Sequence, residues 1–364
     1  MFWYSPALRF KQGEYLAAAR VAPDIRKHLE PRFIIPSLKD VDPEKGRPLS
    51  ADELAYLTAE RIGKHWASGV AYLDAKYVAL TLGQAGLVRL YAVAQSRNPQ
   101  ITALLSPSDI EGPFVRRALK PIFPRLGILV AYQNLDEIEK CLVALRRLNC
   151  SPEDCTLFID FAGAPLEIEG VAGSVAQIFE QASAFARWGR IVFQGSSFPS
   201  WNPADAGGEF RVPRDEWRVF NEAAQECSLA PGQLMFGDYG ADSSKIVFPR
   251  KGGARAIRHI RFTGTTDCVV VRGASEGTDQ SVMREVCQRL VAMKEFVSPS
   301  FSYADNQINK IAHGLCGPGN ASTWRELNTA HHITQVIRQL GASRGIQFSD
   351  SAAAKIEEQE ILPF

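Results

Sequence analysis

The chain has no apolar stretch approaching the roughly 20 residues that a membrane-spanning helix needs. It has no dominant charge either: 41 Lys and Arg against 40 Asp and Glu leave a formal net charge of +1. The first absence argues against a spanning helix, and the second removes any global electrostatic case for a nucleic-acid or membrane partner. Met1-Phe2-Trp3-Tyr4-Ser5-Pro6 lacks the basic leader and long apolar core of a secretory signal. The seven cysteines are odd in number and not closely paired, which predicts reduced thiols in a cytoplasmic protein. Cys150 and Cys155 are the one near pair, and no second pair follows to complete a four-ligand zinc site. No P-loop, dinucleotide fingerprint, zinc-protease helix motif or EF-hand loop occurs. Gly195-Ser196-Ser197-Phe198-Pro199, after the seventh apolar pulse, lacks the Gly-x-Ser-x-Gly elbow, which argues against a serine nucleophile there.

What is present is a rhythm. Eight short apolar pulses occupy 6–10, 33–36, 70–73, 101–105, 127–130, 156–159, 191–193 and 234–236. They are rich in Val, Ile, Leu and Phe with little alternation, as expected of parallel strands covered on both faces. Helical segments lie between most of them; Ser50-Ala51-Asp52-Glu53 has capping-box spacing, and 13–29 and 213–227 carry helical patterns. Strand and helix alternation predicts an α/β fold. An open doubly wound sheet would more often carry a Gly-rich first turn. None is present, so the expectation is a (β/α)8 TIM-like barrel over 1–240. After Asp238 the rhythm breaks. A hairpin at 257–263 and 267–272, then helices, predict a C-terminal hairpin and helical extension over 241–345 packed on the barrel. A loosely ordered tail follows at 346–364.

A parallel barrel places its chemistry at the C-terminal strand ends. Lys11, Asp74, Asp160 and Asp238 stand there and are candidate catalytic groups, the acids as general bases or as Mg²⁺ ligands if they converge. The alternative is that each acid caps a helix or bonds a loop. Ser196 and Ser197, in Gly195-Ser196-Ser197-Phe198-Pro199, could bond an anion or a sugar, or form a plain turn. Tyr239 lies in the Gly-flanked tip Phe236-Gly237-Asp238-Tyr239-Gly240, which predicts a shaped backbone. Lys245, Arg250, Lys251, Arg255, Arg258 and Arg261 form a basic run, read either as a phosphate or nucleic-acid surface or as a solvated hairpin edge. The glycine-rich loop before 323 offers backbone N–H groups at a helix start, with Ser322 or Thr323 and Glu326 as its N-terminal signal. Asn320, Trp324 and Arg325 are candidate ligand-binding residues there. His331 is a further candidate catalytic group, and neighbouring His332 points about 100° away on a helix, so the two do not easily share a metal.

These segments in order resemble a known family. Tyr4-Ser5-Pro6-Ala7-Leu8-Arg9-Phe10-Lys11-Gln12-Gly13-Glu14-Tyr15, Gly195-Ser196-Ser197-Phe198-Pro199 and Gly237-Asp238-Tyr239 are similar to the Beta protein family of phages and bacterial mobile elements. So are Ile260-Arg261-Phe262-Thr263, Val270-Val271-Arg272-Gly273 and the stretch from Gly317-Pro318-Gly319-Asn320 to His331-His332. The resemblance implies a cytoplasmic protein of phage–host conflict, linked to control of a neighbouring toxic protein and to defence against other phages. It supplies no catalytic residues. Two function classes follow as expectations. One is a defence or toxin-control protein that recognises a ligand or a protein of its own gene cluster at the barrel mouth. The other is a barrel enzyme acting on a phosphorylated or nucleotide-like substrate. Direct nucleic-acid binding through the basic run is a third, weaker reading.

Overall fold

The computed structural model describes residues 4–112, 115, 125–230, 232–246 and 257–349. Arg250, Lys251 and Arg255 of the basic run, and 350–364 of the expected tail, lie outside the described residues. The described strands are β1 (Ala7–Arg9), β2 (Arg32–Ile34), β3 (Ala71–Asp74), β4 (Ile101–Leu105), β5 (Gly127–Ala131), β6 (Thr156–Asp160), β7 (Arg190–Gln194), β8 (Glu209–Pro213), β9 (Leu234–Met235), β10 (His259–Thr263) and β11 (Asp267–Arg272). The helices are α1 (Gln12–Arg20), α2 (Pro23–Arg26), α3 (Ala51–His65), α4 (Ala79–Arg97), α5 (Pro107–Glu111), α6 (Glu137–Arg147), α7 (Val171–Phe185), α8 (Asp215–Glu226), α9 (Asp279–Val291), α10 (Tyr303–Ala312) and α11 (Ala321–Ala342).

The eight apolar pulses become one curled, eight-stranded parallel sheet in the order β1-β2-β3-β4-β5-β6-β7-β9. Their outward residues pack under the helices in the main core, among them Phe33, Leu73, Ile159, Phe193 and Phe236. Alternate residues turn inward, and the concave face is filled by Tyr72, Leu104, Phe158, Val192 and Met235. Below that apolar layer, buried Glu30 takes Arg190 at 2.5 Å, and the Tyr72 hydroxyl lies 2.8 Å from Thr156 Oγ1.

The residues leading into β1 lie beside those following β9. A parallel bridge joins Tyr4 to Phe236. The Ser5 and Ala7 N–H groups donate to the Phe236 and Asp238 carbonyls at 2.9 and 2.7 Å. Gly237 makes this approach possible: a Cβ there would sit 2.6 Å from the Phe193 carbonyl oxygen and 2.7 Å from that of Ser5.

The sequence pattern is altered in three places. The helix expected over 13–29 is two helices, because Pro23 has no N–H to give and starts α2 instead. The hairpin β10–β11 gains a third antiparallel strand, β8, from the segment between β7 and α8. Pro213 ends that strand rather than starting a helix. The start of α11 is capped by Asn320, whose side chain accepts from Ser322 and Thr323 N–H. Glu326, expected as part of that signal, bonds Arg20 at 2.6 Å instead. The Ser50 capping box of α3 forms as the spacing predicts.

Gly237→Ala therefore tests the contact between the two sheet edges. The methyl group meets backbone on two sides, so the expected cost is about 2–3 kcal/mol in urea unfolding. An unfolding midpoint equal to that of the native chain would show that the edges are not held this closely.

Candidate functional site

The strand-end candidates do not form one cluster, and period-two alternation explains why. Inward-facing Asp74, at the end of β3, bonds buried Arg32 at 2.7 Å. Asp160, at the end of β6, accepts the Tyr239 hydroxyl at 2.8 Å. Arg32 lies 6.0 Å from the Tyr239 ring centre, so these four residues cap the inner face together. Lys76 borders them, its pKa lowered by burial and by Arg32. Asp238, one position before Tyr239, points to the opposite side. Its carboxylate accepts Tyr4 Oη–H at 2.5 Å and the Gly240 N–H at 2.9 Å, and it meets His332 Nε2 at 2.9 Å. Burial pushes this carboxyl up, but His332, Tyr4 and Gly240 outweigh it and hold the pKa below the usual range. The Mg²⁺ expectation thus meets carboxylates with separate partners, and among the described residues no group of three or more His, Cys, Asp or Glu could hold a metal ion.

The other candidates are also placed. Lys11 pairs with Asp40 in a separate pocket under α3. His331 is buried, with Nδ1 3.0 Å from Asp305 and Nε2 2.9 Å from the Thr263 carbonyl, so both ring nitrogens are engaged. Trp324 is buried in the main core. Ser197 exchanges hydrogen bonds with Glu216: its N–H donates to the carboxylate and its hydroxyl accepts the Glu216 N–H. Ser196 Oγ donates to the Asp242 carbonyl at 3.0 Å. Cys150 and Cys155 have Sγ atoms 3.6 Å apart, and all seven cysteines are thiols.

The strand ends do carry a cleft, built largely from residues outside the expected set. It lies open to solvent between the end of β1, the loop after β9, β10 and the first turns of α11. Three guanidinium groups converge on Asp242. Arg9 from β1 reaches Oδ2 at 2.5 Å, Arg325 from α11 reaches the same oxygen at 2.7 Å, and Arg261 from β10 reaches Oδ1 at 2.6 Å. Burial pushes Asp242 up, yet Arg9 and Arg261 outweigh it and hold the carboxyl at about 2. Glu14 is the second acid, 3.1 Å from Arg9 and 3.5 Å from Arg325. Desolvation dominates there and raises it to about 7, against the pull of Arg9 and Lys11. Burial and Arg261 lower His259 to about 4, so it is neutral at pH 7. Three permanent positive charges therefore face one full and one partial negative charge. Tyr239 also lines the cleft.

Tight packing brings Arg325 there. A Cβ on Gly13 would lie 2.8 Å from Arg325 Cβ, so α1 and α11 approach at a glycine. Of these groups, Arg325, Arg261 and Tyr239 were singled out by sequence. Arg9, Glu14 and Asp242 were not: Arg9 sits inside an apolar pulse, and Asp242 lies where the rhythm has already broken.

Glu14 carries a stability signature. Its folded pKa lies above the ordinary 4.5, so its contribution is complete below that value and is lost as pH rises through about 7. Glu14→Gln removes the titration. Urea unfolding at about pH 5 and about pH 8 should show a pH-dependent loss smaller by up to about 3 kcal/mol than in the native chain. An unchanged difference would place the Glu14 carboxyl in solvent.

Comparison with known proteins follows the same chain length. A search of curated proteins finds no match. Among solved structures, an endoxylanase retrieved from a sugarcane soil metagenome is 13% identical over 50% of this chain and 80% of that one, with a TM-score of 0.29. The carboxyl transferase domain of Rhizobium etli pyruvate carboxylase with 3-bromopyruvate is 10% identical, covering 92% of this chain and 48% of that one, with a TM-score of 0.33. This chain thus spans about half the length of the carboxyl transferase chain. The family model described as Beta protein matches residues 4–338, nearly the whole chain, and the protein belongs to the Beta protein family.

Proposed function

We propose that this chain is a recognition protein of a phage or mobile-element defence or toxin-control system, taking a small phosphorylated ligand in the arginine cleft. The observation that carries the reading is the convergence of Arg9, Arg261 and Arg325 from three separate elements on one carboxylate. Guanidinium groups match phosphate oxygens in geometry as well as charge. Glu14, half-protonated near pH 7, leaves the cleft with surplus positive charge. Family membership supports the biological setting. The seven thiols and the lack of a helix long and apolar enough to cross a membrane, among the described residues, accord with a cytoplasmic site of action. We take the curled sheet to be a closed (β/α)8 barrel, supported by the Ser5–Phe236 and Ala7–Asp238 hydrogen bonds between its edges. Its mouth is then the cleft, and the extension proposed over 241–345 packs on it.

An acidic segment of a protein from the same gene cluster is the competing occupant. Nucleic acid is less favoured, because Arg258 of the basic run is committed to the Ser275 and Gly277 carbonyls. The enzyme reading retains one supporting observation. A carboxyl titrating near 7 beside an anion site suits general acid–base chemistry at neutral pH.

Calorimetry with inorganic pyrophosphate and adenosine 5′-monophosphate tests the cleft. The native chain should bind one of them in a salt-sensitive manner. Arg325→Gln and Arg261→Gln should each weaken that binding about tenfold or more, as loss of a charge-assisted hydrogen bond does. Cells expressing the native chain should plate fewer phages than cells expressing Arg325→Gln. Failure of both probes to bind at low salt sinks the phosphorylated ligand, and equal plating with both chains sinks the defence role.

A further inference from the structure

A second, small pocket lies across the Asp238–Asp242 loop from the arginine cleft. Its floor is Arg214, the residue before α8, which is 4% exposed. The guanidinium is anchored at one end. Nη1 donates to the Gly264 carbonyl at 2.8 Å and to Gln339 Oε1 at 2.7 Å. Its other edge is different: Nε and Nη2 are buried and have no hydrogen-bond partner among the described residues. The nearest acid, Glu216, stands 3.8 Å from Nε, beyond hydrogen-bond reach. Leaving two buried donors of a charged group unpaired is costly.

The Nε–Nη2 edge presents two parallel N–H groups, the arrangement that a planar carboxylate accepts bidentately. Phe198, Val212 and Cys268 give the cavity an apolar wall. Ser196 and Thr263 bring hydroxyl groups to its lining. We propose that this cavity is a binding site for a short-chain monocarboxylate, its carboxylate on the Nε–Nη2 edge of Arg214 and its alkyl group against Phe198, Val212 and Cys268. A phosphate suits it less, because Glu216 and Asp238 also line the cavity and would repel a second negative charge.

Glu216 gives the site a pH signature. Desolvation raises it to about 7, opposed by Arg214 and reinforced by Asp238. The other groups facing it are Tyr4 from the residues before β1 and Cys268 from β11, with His332 of α11 bonded to Asp238. A carboxylate arriving beside Glu216 favours its protonated form, so binding takes up a proton above about pH 7 and weakens as pH rises.

Propionate titrated into the full chain, followed by calorimetry and by tryptophan fluorescence, tests this. Saturable one-to-one binding is expected, several-fold tighter at about pH 6 than at about pH 8. Glu216→Gln should bind at least as tightly and lose that pH dependence. Cys268→Met, which fills the apolar wall without touching Arg214, should weaken binding about tenfold. Arg325→Gln, in the separate cleft, should leave propionate binding unchanged, so failure here is distinct from failure of the phosphorylated-ligand reading. Absence of saturable propionate binding overturns the proposal, as does equal binding by the native chain and Cys268→Met. Displacement of propionate by equimolar phosphate overturns the carboxylate assignment.

Discussion

The carboxylate of Asp238 is the constraint on which the rest of this structure depends. It sits just beyond the last sheet strand and holds three things at once: the tyrosine before the first strand, the backbone of its own loop, and a histidine of the C-terminal helix. The curled sheet and its extension are thereby fixed to a single buried charge. Such a charge is costly to desolvate unless it is hydrogen-bonded, and here three groups bond it. The same network continues through His332 to the Thr263 hydroxyl on β10. The three-stranded sheet is thus tied to the parallel sheet by polar contacts as well as by apolar packing. The strand-end acid Asp238 is thus a joint between the two sheets, bonded from both sides.

The arginine cleft shows the opposite balance. Asp242 neutralises only part of the charge around it, and Glu14 is held close to its neutral form by burial. A fold selected for stability alone would gain by removing one of three neighbouring guanidinium groups, since like charges in a partly desolvated space repel. Their retention is accounted for if an anion completes the site. The two regions contrast: charge is paired at the joint between the sheets, and positive charge is in excess in the cleft.

Much of the framework could be read from the pulses. Short, nearly continuous Val-, Ile-, Leu- and Phe-rich runs bounded by helical patterns leave little alternative to parallel strands covered on both faces. The third strand of the small sheet was harder. Glu209–Pro213 buries only Val212, so it carries no apolar run, and it is a strand because β11 pairs with it. The site was legible only in part for a related reason. Sequence shows which residues stand at strand ends but not which face each takes once a strand stops. Asp238 and Tyr239 are adjacent and point to opposite sides. Arg9 was hidden in an apolar pulse, where its aliphatic stem packs while its guanidinium reaches the cleft. Arg325 was visible because a glycine-rich helix start is itself a signal.

The arginine cleft and the Arg214 pocket share a wall. Gly240 and Ala241 line both the arginine cleft and the Arg214 cavity. The loop they belong to is held from the sheet side by Ser196, whose hydroxyl donates to the Asp242 carbonyl, and from the extension by Arg261. Arg261 itself stacks 4.4 Å from the Phe198 ring, the apolar wall of the cavity, while bonding Asp242 in the cleft. Arg261 therefore lines the cleft and packs on a residue of the cavity wall. Moving Arg261 off Asp242 would also change its contact with Phe198.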